Sequence, residues 1–166
     1  MDDTDRLFRE YHAPLVRYLT RRLGDRDWAE EVAQETFLRA LRQPDLSNER
    51  AWLFTVATNL VRDAARQESR RRRHLELLRA EEAGRMVESP DSAMERAEDR
   101  AQARRALEQL PERDREALLM REEGLNYEEI AEALGLSVGS VGTTLARARR
   151  RLVERYELKD GRSVGR

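Results

Sequence analysis

Residues 127–152 read Y-E-E-I-A-E-A-L-G-L-S-V-G-S-V-G-T-T-L-A-R-A-R-R-R-L. Ile130, Ala131 and Leu134 form one face of a short helix. Gly135 follows, the residue that takes up a left-handed backbone at least cost and so turns a chain sharply. Leu136 closes the corner, and Ser137 is placed to cap a second helix. In that helix Val141, Leu145, Ala148 and Leu152 recur at the spacing of one buried stripe. Its other side carries Gly139, Ser140, Thr143, Ala146, Arg147 and Arg150. Small residues at the start of the helix let it sit deep in a major groove, and arginines further along reach phosphates on the groove walls. A basic run alone is usually a solvated face. Here a short helix, a Gly turn, a Ser cap and a basic second helix occur together, which is the pattern of a DNA-binding helix-turn-helix.

Working towards the N-terminus, Pro111 opens a helix that stops at Gly124. Another runs from Ser92 to about Gln109, with Ser92 and Glu95 at capping-box spacing. Residues 74–91 lose periodicity, turn acidic and contain Ser89-Pro90-Asp91, the marks of a linker. Before them three helices are expected: about Asp5 to Leu23, one capped near Asp27 and ended by Pro44, and about Glu49 to Arg72. The second buries Ala29, Val32, Ala33, Thr36, Phe37, Ala40 and Leu41 and turns Glu30, Glu31, Gln34, Glu35 and Leu38 outward. The third carries a second stripe beside its core face, formed by Trp52, Thr55, Asn59, Arg62 and Arg66. The last ten residues are expected to fray. The fold class is therefore all-α: residues 1–73 and residues 92–166 make two small helical domains joined by the linker.

Composition agrees. Of 166 residues, 39% are charged, 5% are aromatic, 8 are Gly and 4 are Pro, a chain rich in helix formers and poor in strand formers. Net charge is −1, but residues 1–73 hold 15 basic and 13 acidic side chains, residues 74–103 hold 4 and 8, and residues 104–166 hold 13 and 12. Local basic runs at Arg70–Arg73 and Arg147–Arg151 permit phosphate binding by a chain that is neutral overall. There is no cysteine, which removes disulfides, thiol catalysis and cysteine zinc sites. The acidic start lacks the apolar stretch of a signal peptide, and no run approaches a membrane span. A cytoplasmic protein without membrane insertion is expected. His12 and His74 stand apart with no carboxylate motif, and no phosphate-cradling Gly loop or nucleophile elbow is present. No catalytic role, cofactor, metal or small-molecule substrate is expected.

Four stretches, taken in order, resemble bacterial sigma factors of the extracytoplasmic-function type: W-A-E-E-V-A-Q-E-T-F-L-R-A (28–40), A-W-L-F-T-V-A-T-N-L-V-R-D (51–63), A-L-E-Q-L-P-E-R-D-R-E-A-L-L-M-R (106–121) and the helix-turn-helix. The resemblance implies that residues 1–73 bind core RNA polymerase and melt the minus-ten promoter element, while residues 92–166 read the minus-thirty-five element. It places Glu31, Gln34, Glu35 and Leu38 on the polymerase-binding helix, where an acidic face with one exposed Leu suits a basic coiled coil. It places Asn59 at an extruded minus-ten base and Trp52 at the edge of strand separation. Thr55, Arg62 and Arg66 share that face and offer what an unpaired base and its backbone need. Trp52 has an alternative reading as core packing. For minus-thirty-five DNA the expected residues are Ser137, Ser140, Thr143, Thr144, Arg147 and Arg149. The family usually has a basic residue, Ser and Arg where this chain has Gly142, Thr143 and Thr144, so readout here is expected to lean on Thr143, DNA shape and the later arginines. An anti-sigma factor is a further partner implied by resemblance. The rival reading is a conventional operator-binding regulator that dimerises through its N-terminal half.

Overall fold

The computed structural model describes residues 3–43, 45–79 and 91–164; side chains are described for fewer, leaving out residues 65–66, 68–95 and 157–166. Among the described residues there are helices and no strand: α1 (Asp3–Leu23), α2 (Arg26–Ala40), α3 (Glu49–Arg79), α4 (Asp91–Glu108), α5 (Glu112–Glu122), α6 (Tyr127–Leu134) and α7 (Val138–Val164). The all-α class is as the sequence indicates. The ends differ in instructive ways. The cap of α2 is Asp25, whose side chain accepts from the Trp28 backbone N–H at 3.2 Å, rather than Asp27. Helix α3 runs on to Arg79, into the stretch read as linker, and α7 runs on to Val164 where fraying is expected. Charged residues with good helix propensity carry both helices past the end of their apolar stripes.

The N-terminal helices close around Leu15, Tyr18, Leu19, Ala29, Ala33, Leu53, Phe54, Ala57 and Val61, all buried. Tyr18 shows how this core handles a polar atom: its hydroxyl is paired with the Thr58 hydroxyl at 2.7 Å, satisfying both inside the packing. Burial there pushes the Tyr18 phenol well above its ordinary range. Arg6 ties the starts of α1 and α3 through Glu49 at 2.7 Å.

The C-terminal helices close around Leu118, Met120, Leu125, Ile130, Leu134, Val141, Leu145 and Ala148. Asp114 of α5 is buried and binds α7 twice, accepting from Arg147 at 2.8 and 3.1 Å and from Arg151 at 3.1 Å. The two sets of helices pack on each other. Helix α6 lies against α3 and α5 against α1, and the buried apolar cluster continues from one set into the other.

Candidate nucleic-acid and polymerase interfaces

The turn between α6 and α7 has the geometry its sequence implies. Gly135 is left-handed at φ 65° and ψ 37°, and a Cβ there would meet nothing within 4 Å, so the backbone conformation alone selects glycine. Asn126 accepts from the Glu129 N–H at 2.8 Å while the Glu129 side chain accepts from the Asn126 N–H at 2.9 Å, a reciprocal cap. Ser137 accepts from the Ser140 N–H at 3.3 Å, and the two hydroxyls pair at 2.7 Å. The first turn of α7 is thus held with its amides facing outward, a local surplus of positive dipole.

Of the six residues expected to meet minus-thirty-five DNA, Ser137, Ser140, Thr143 and Arg149 are exposed. Two need correction. Thr144 is buried, because it lies one turn from Val141 and Ala148 on the packed side of α7. Arg147 is half-buried with its guanidinium committed to Asp114, so it braces α7 on α5 rather than standing free for phosphate. Gly142 is also on the packed side: its α-carbon faces the Tyr127 ring, which a Cβ would meet at 3.5 Å. The missing cation at that position therefore costs the outward face nothing. Val138, 49% exposed at the start of α7, is an apolar group the sequence reading passed over.

On α2, Glu31, Gln34, Glu35 and Leu38 are all exposed, and they fall one turn apart on a single face. Glu35 accepts from Arg39 at 3.1 Å, an exposed pair along the helix. Leu38 and Leu41 are exposed large apolar side chains, and Leu41 thus stands outside the core to which the periodicity assigned it. Phe8 of α1 joins this surface, stacked on His12 with ring centres 4.3 Å apart and tilted on Phe37 at 5.2 Å. Phe8 was missed because it sits off the Leu7–Tyr11–Leu15 stripe of α1; an aromatic off the stripe is the signal that could have found it.

The second stripe of α3 is only partly free. Asn59 is exposed and Trp52 half-buried against the core. The Thr55 hydroxyl donates back to the Ala51 carbonyl at 2.6 Å. Arg62 donates to the buried Glu116 of α5 at 2.6 Å. Arg66 and the run Arg70–Arg73 lie outside the residues whose side chains are described.

Arg62 belongs to a set of ion pairs between the two halves that sequence reasoning missed entirely. Arg22 donates to Glu112 at 2.8 Å and to Glu116 at 3.4 Å. Arg17 pairs with Glu123 at 3.1 Å. Arg50 grips Glu129 through two bonds of 2.6 and 2.8 Å. Burial pushes the Glu129 carboxyl up, but the bonds from Arg50 and the Asn126 backbone outweigh it and hold the group below the usual carboxylate range. Arg115, beside Arg22, is the reverse case: burial and the neighbouring cation bring its guanidinium below its usual value.

Among the described residues no cluster of metal-binding side chains occurs, and no helix is long and apolar enough to cross a membrane.

Comparison with known proteins places the chain in a family. Residues 7–71 match the family described as Sigma-70 region 2, and residues 100–152 match Sigma-70, region 4. The chain is 34% identical over 159 residues to the RNA polymerase sigma-H factor of Pseudomonas aeruginosa, covering 87% of this chain and 81% of that one. It is 37% identical over 153 residues to the ECF RNA polymerase sigma factor SigL of Mycobacterium tuberculosis, covering 88% and 84%. Its fold is similar to that of sigma factor RpoE of Bartonella quintana, solved in complex with the anti-sigma factor NepR (TM-score 0.69, 24% identity, 95% of this chain and 98% of that one). It is also similar to CnrH, solved in complex with the cytosolic domain of CnrY (TM-score 0.65, 24% identity, 93% and 88%). An operator-binding regulator needs only the C-terminal match; region 2 over α1 to α3 sets that reading aside. The chain belongs to the sigma-70 family of RNA polymerase sigma factors, in its extracytoplasmic-function group.

Proposed function

We propose that the exposed face of α2 made by Glu31, Gln34, Glu35 and Leu38 holds core RNA polymerase. The flanking apolar groups Phe8 and Leu41 extend that contact. Carboxylates and an amide around exposed apolar side chains complement a basic coiled coil with an apolar seam. On α3, Asn59 hydrogen-bonds an unpaired minus-ten base, Trp52 supplies the surface beside it, and Arg62 and Arg66 hold the strand backbone. On α7, Ser137, Ser140, Val138 and Thr143 enter the major groove of the minus-thirty-five element, and Arg149 reaches a phosphate. Residues 1–73 and 92–166 act as the two promoter-binding domains, connected through the stretch between them, into which α3 extends as far as Arg79. The chain works in the cytoplasm without catalysis of its own and is restrained by an anti-sigma factor, the kind of partner with which RpoE was solved.

The observation that carries this reading is the coexistence, in one chain, of a capped helix-turn-helix and an exposed acidic-apolar α2 face. It is tested by titrating core RNA polymerase with the full chain and with a Gln34→Ala/Glu35→Ala variant. Tight binding by the native chain and loss by at least about tenfold in the variant supports the assignment. A folded native chain that leaves core polymerase unbound overturns it.

A further inference from the structure

We propose that the packing of α5 and α6 on α1 and α3 is an autoinhibitory contact, in which glutamates of the C-terminal half occupy the arginines of the N-terminal half in place of nucleic-acid phosphates. It rests on the reading of α3 as a DNA-binding face.

The pairs have a direction. In each ion pair described between the halves the cation is on α1 or α3 and the anion on α5, on α6 or just after α5: Arg17 with Glu123, Arg22 with Glu112 and Glu116, Arg50 with Glu129, Arg62 with Glu116. A surface built only for folding has no reason to sort its charges this way. A cationic surface built for phosphate does, and a row of carboxylates is the nearest equivalent that a protein can lay across it. Arg62 lies one turn beyond Asn59 on α3, at the basic end of the stripe, and Glu116 takes it.

The contact is also imperfect. Arg62 Nε and Arg115 Nε are buried with no acceptor among the described residues. The interface gathers Arg22, Arg62 and Arg115 around Glu116 and Glu112, with Glu108 also near Arg115, so three cations share carboxylates that pair with more than one of them. Arg17 and Glu112 remain at least half exposed, so their pairs are open to screening by salt. Such an interface holds the halves together yet yields to a better polyanion. What it blocks is specific: Asn59 and the outward face of α7 stay exposed, so docking withholds backbone cations on α3 and leaves the helix-turn-helix open.

The chain has no cysteine, so introduced cysteines report cleanly. The full chain carrying Arg42→Cys and Glu132→Cys, both exposed positions, is labelled for energy transfer, with and without Glu112→Gln/Glu116→Gln. Binding of a mixed-sequence single-stranded oligonucleotide is followed by anisotropy on the same proteins. The proposal predicts reduced transfer in the glutamine variant and binding at least about fivefold tighter. It also predicts a steeper salt dependence, by about 0.7 in log–log slope for each arginine released. Unchanged transfer, or an opened variant that binds no tighter, overturns it. A second arm leaves the glutamates at Arg22 and Arg62 in place: Arg17→Cys/Glu123→Cys is bridged by a bis-maleimide and compared with the same chain capped singly. The bridged form must bind the oligonucleotide more weakly; equal binding overturns the proposal even where the glutamine variant does not fold. Binding to core polymerase is read separately, and its absence in the native chain counts against the α2 assignment rather than against the latch.

Discussion

Asp114 and Glu116 stand two residues apart on α5, and both are fully buried. Both bind two arginines. Asp114 reaches Arg147 and Arg151 on α7, within its own half; Glu116 reaches Arg22 and Arg62 on α1 and α3, across to the other. The same chemistry thus serves two purposes, and the direction in which the carboxylate points decides which. Removing Asp114 is expected to damage the helix-turn-helix itself, whereas neutralising Glu116 is expected to separate two halves that each remain folded. In this chain the buried Asp114 bolts the C-terminal half together, while Glu116 holds the contact proposed as a latch.

The comparison breaks most directly at Asp114. Asp114→Asn keeps the shape but removes the charge that two arginines share. We expect a loss of about 2–4 kcal/mol in stability of the C-terminal half by denaturant titration. That is below the full cost of breaking a buried pair, because both guanidinium groups are partly solvated. A loss equal to that of Glu116→Gln would erase the distinction. Arg147→Ala, made on the same logic, should lower stability as well as DNA affinity; weaker DNA binding with unchanged stability would return Arg147 to the role of a free phosphate contact.

The next effect is at the turn. Gly135→Ala forces a Cβ into the left-handed region and should cost about 1–2 kcal/mol by the same titration. No loss would mean that the turn relaxes to another geometry.

Acid should open the docked form. The Glu129 carboxyl is held below its ordinary value of 4.5 by Arg50, with Asn126 and Asn48 also donating to it. A depressed carboxylate contributes docking stability above that value and loses it as the pH falls through its folded value. Energy transfer between the halves should therefore hold steady from neutrality to about pH 4.5 and fall below it, and Glu129→Gln should flatten that fall. A transition centred near neutrality would assign the effect to another group.

The smallest expected effect is a gain. Gly142→Ala places a methyl against Tyr127 at ordinary contact distance inside α7. It should stabilise the C-terminal half by up to about 1 kcal/mol, visible as a rise of a few degrees in Tm. A decrease would show that Tyr127 cannot give way.

How far the sequence could be read follows the range of the interactions. Helix α6 has the bounds its apolar spacing and Gly135 announce, because cap, turn and periodicity all lie within a dozen residues. The N-cap of α2 lies two residues before the Asp27 that the sequence suggests, since D-R-D offers two aspartates of equal chemistry on either side of Arg26. Thr144 could have been read correctly: three residues after Val141 and four before Ala148, it shares their face. Glu116 could not. Its partners are 54 and 94 residues away, and on a helix with Glu112 and Asp114 it looks like one more solvated acid. The same holds for Arg22 and Arg62, whose partners only the packing of α5 on α1 and α3 supplies.

The central claim is that this sigma factor gives core polymerase its promoter choice. The direct measurement is transcription by core RNA polymerase on fragmented bacterial DNA, with and without the chain, with transcript 5′ ends mapped. The account predicts start sites that depend on the chain and share two upstream elements at a fixed spacing, lost together in the Gln34→Ala/Glu35→Ala variant. A folded chain that binds core polymerase yet adds no start site would contradict it.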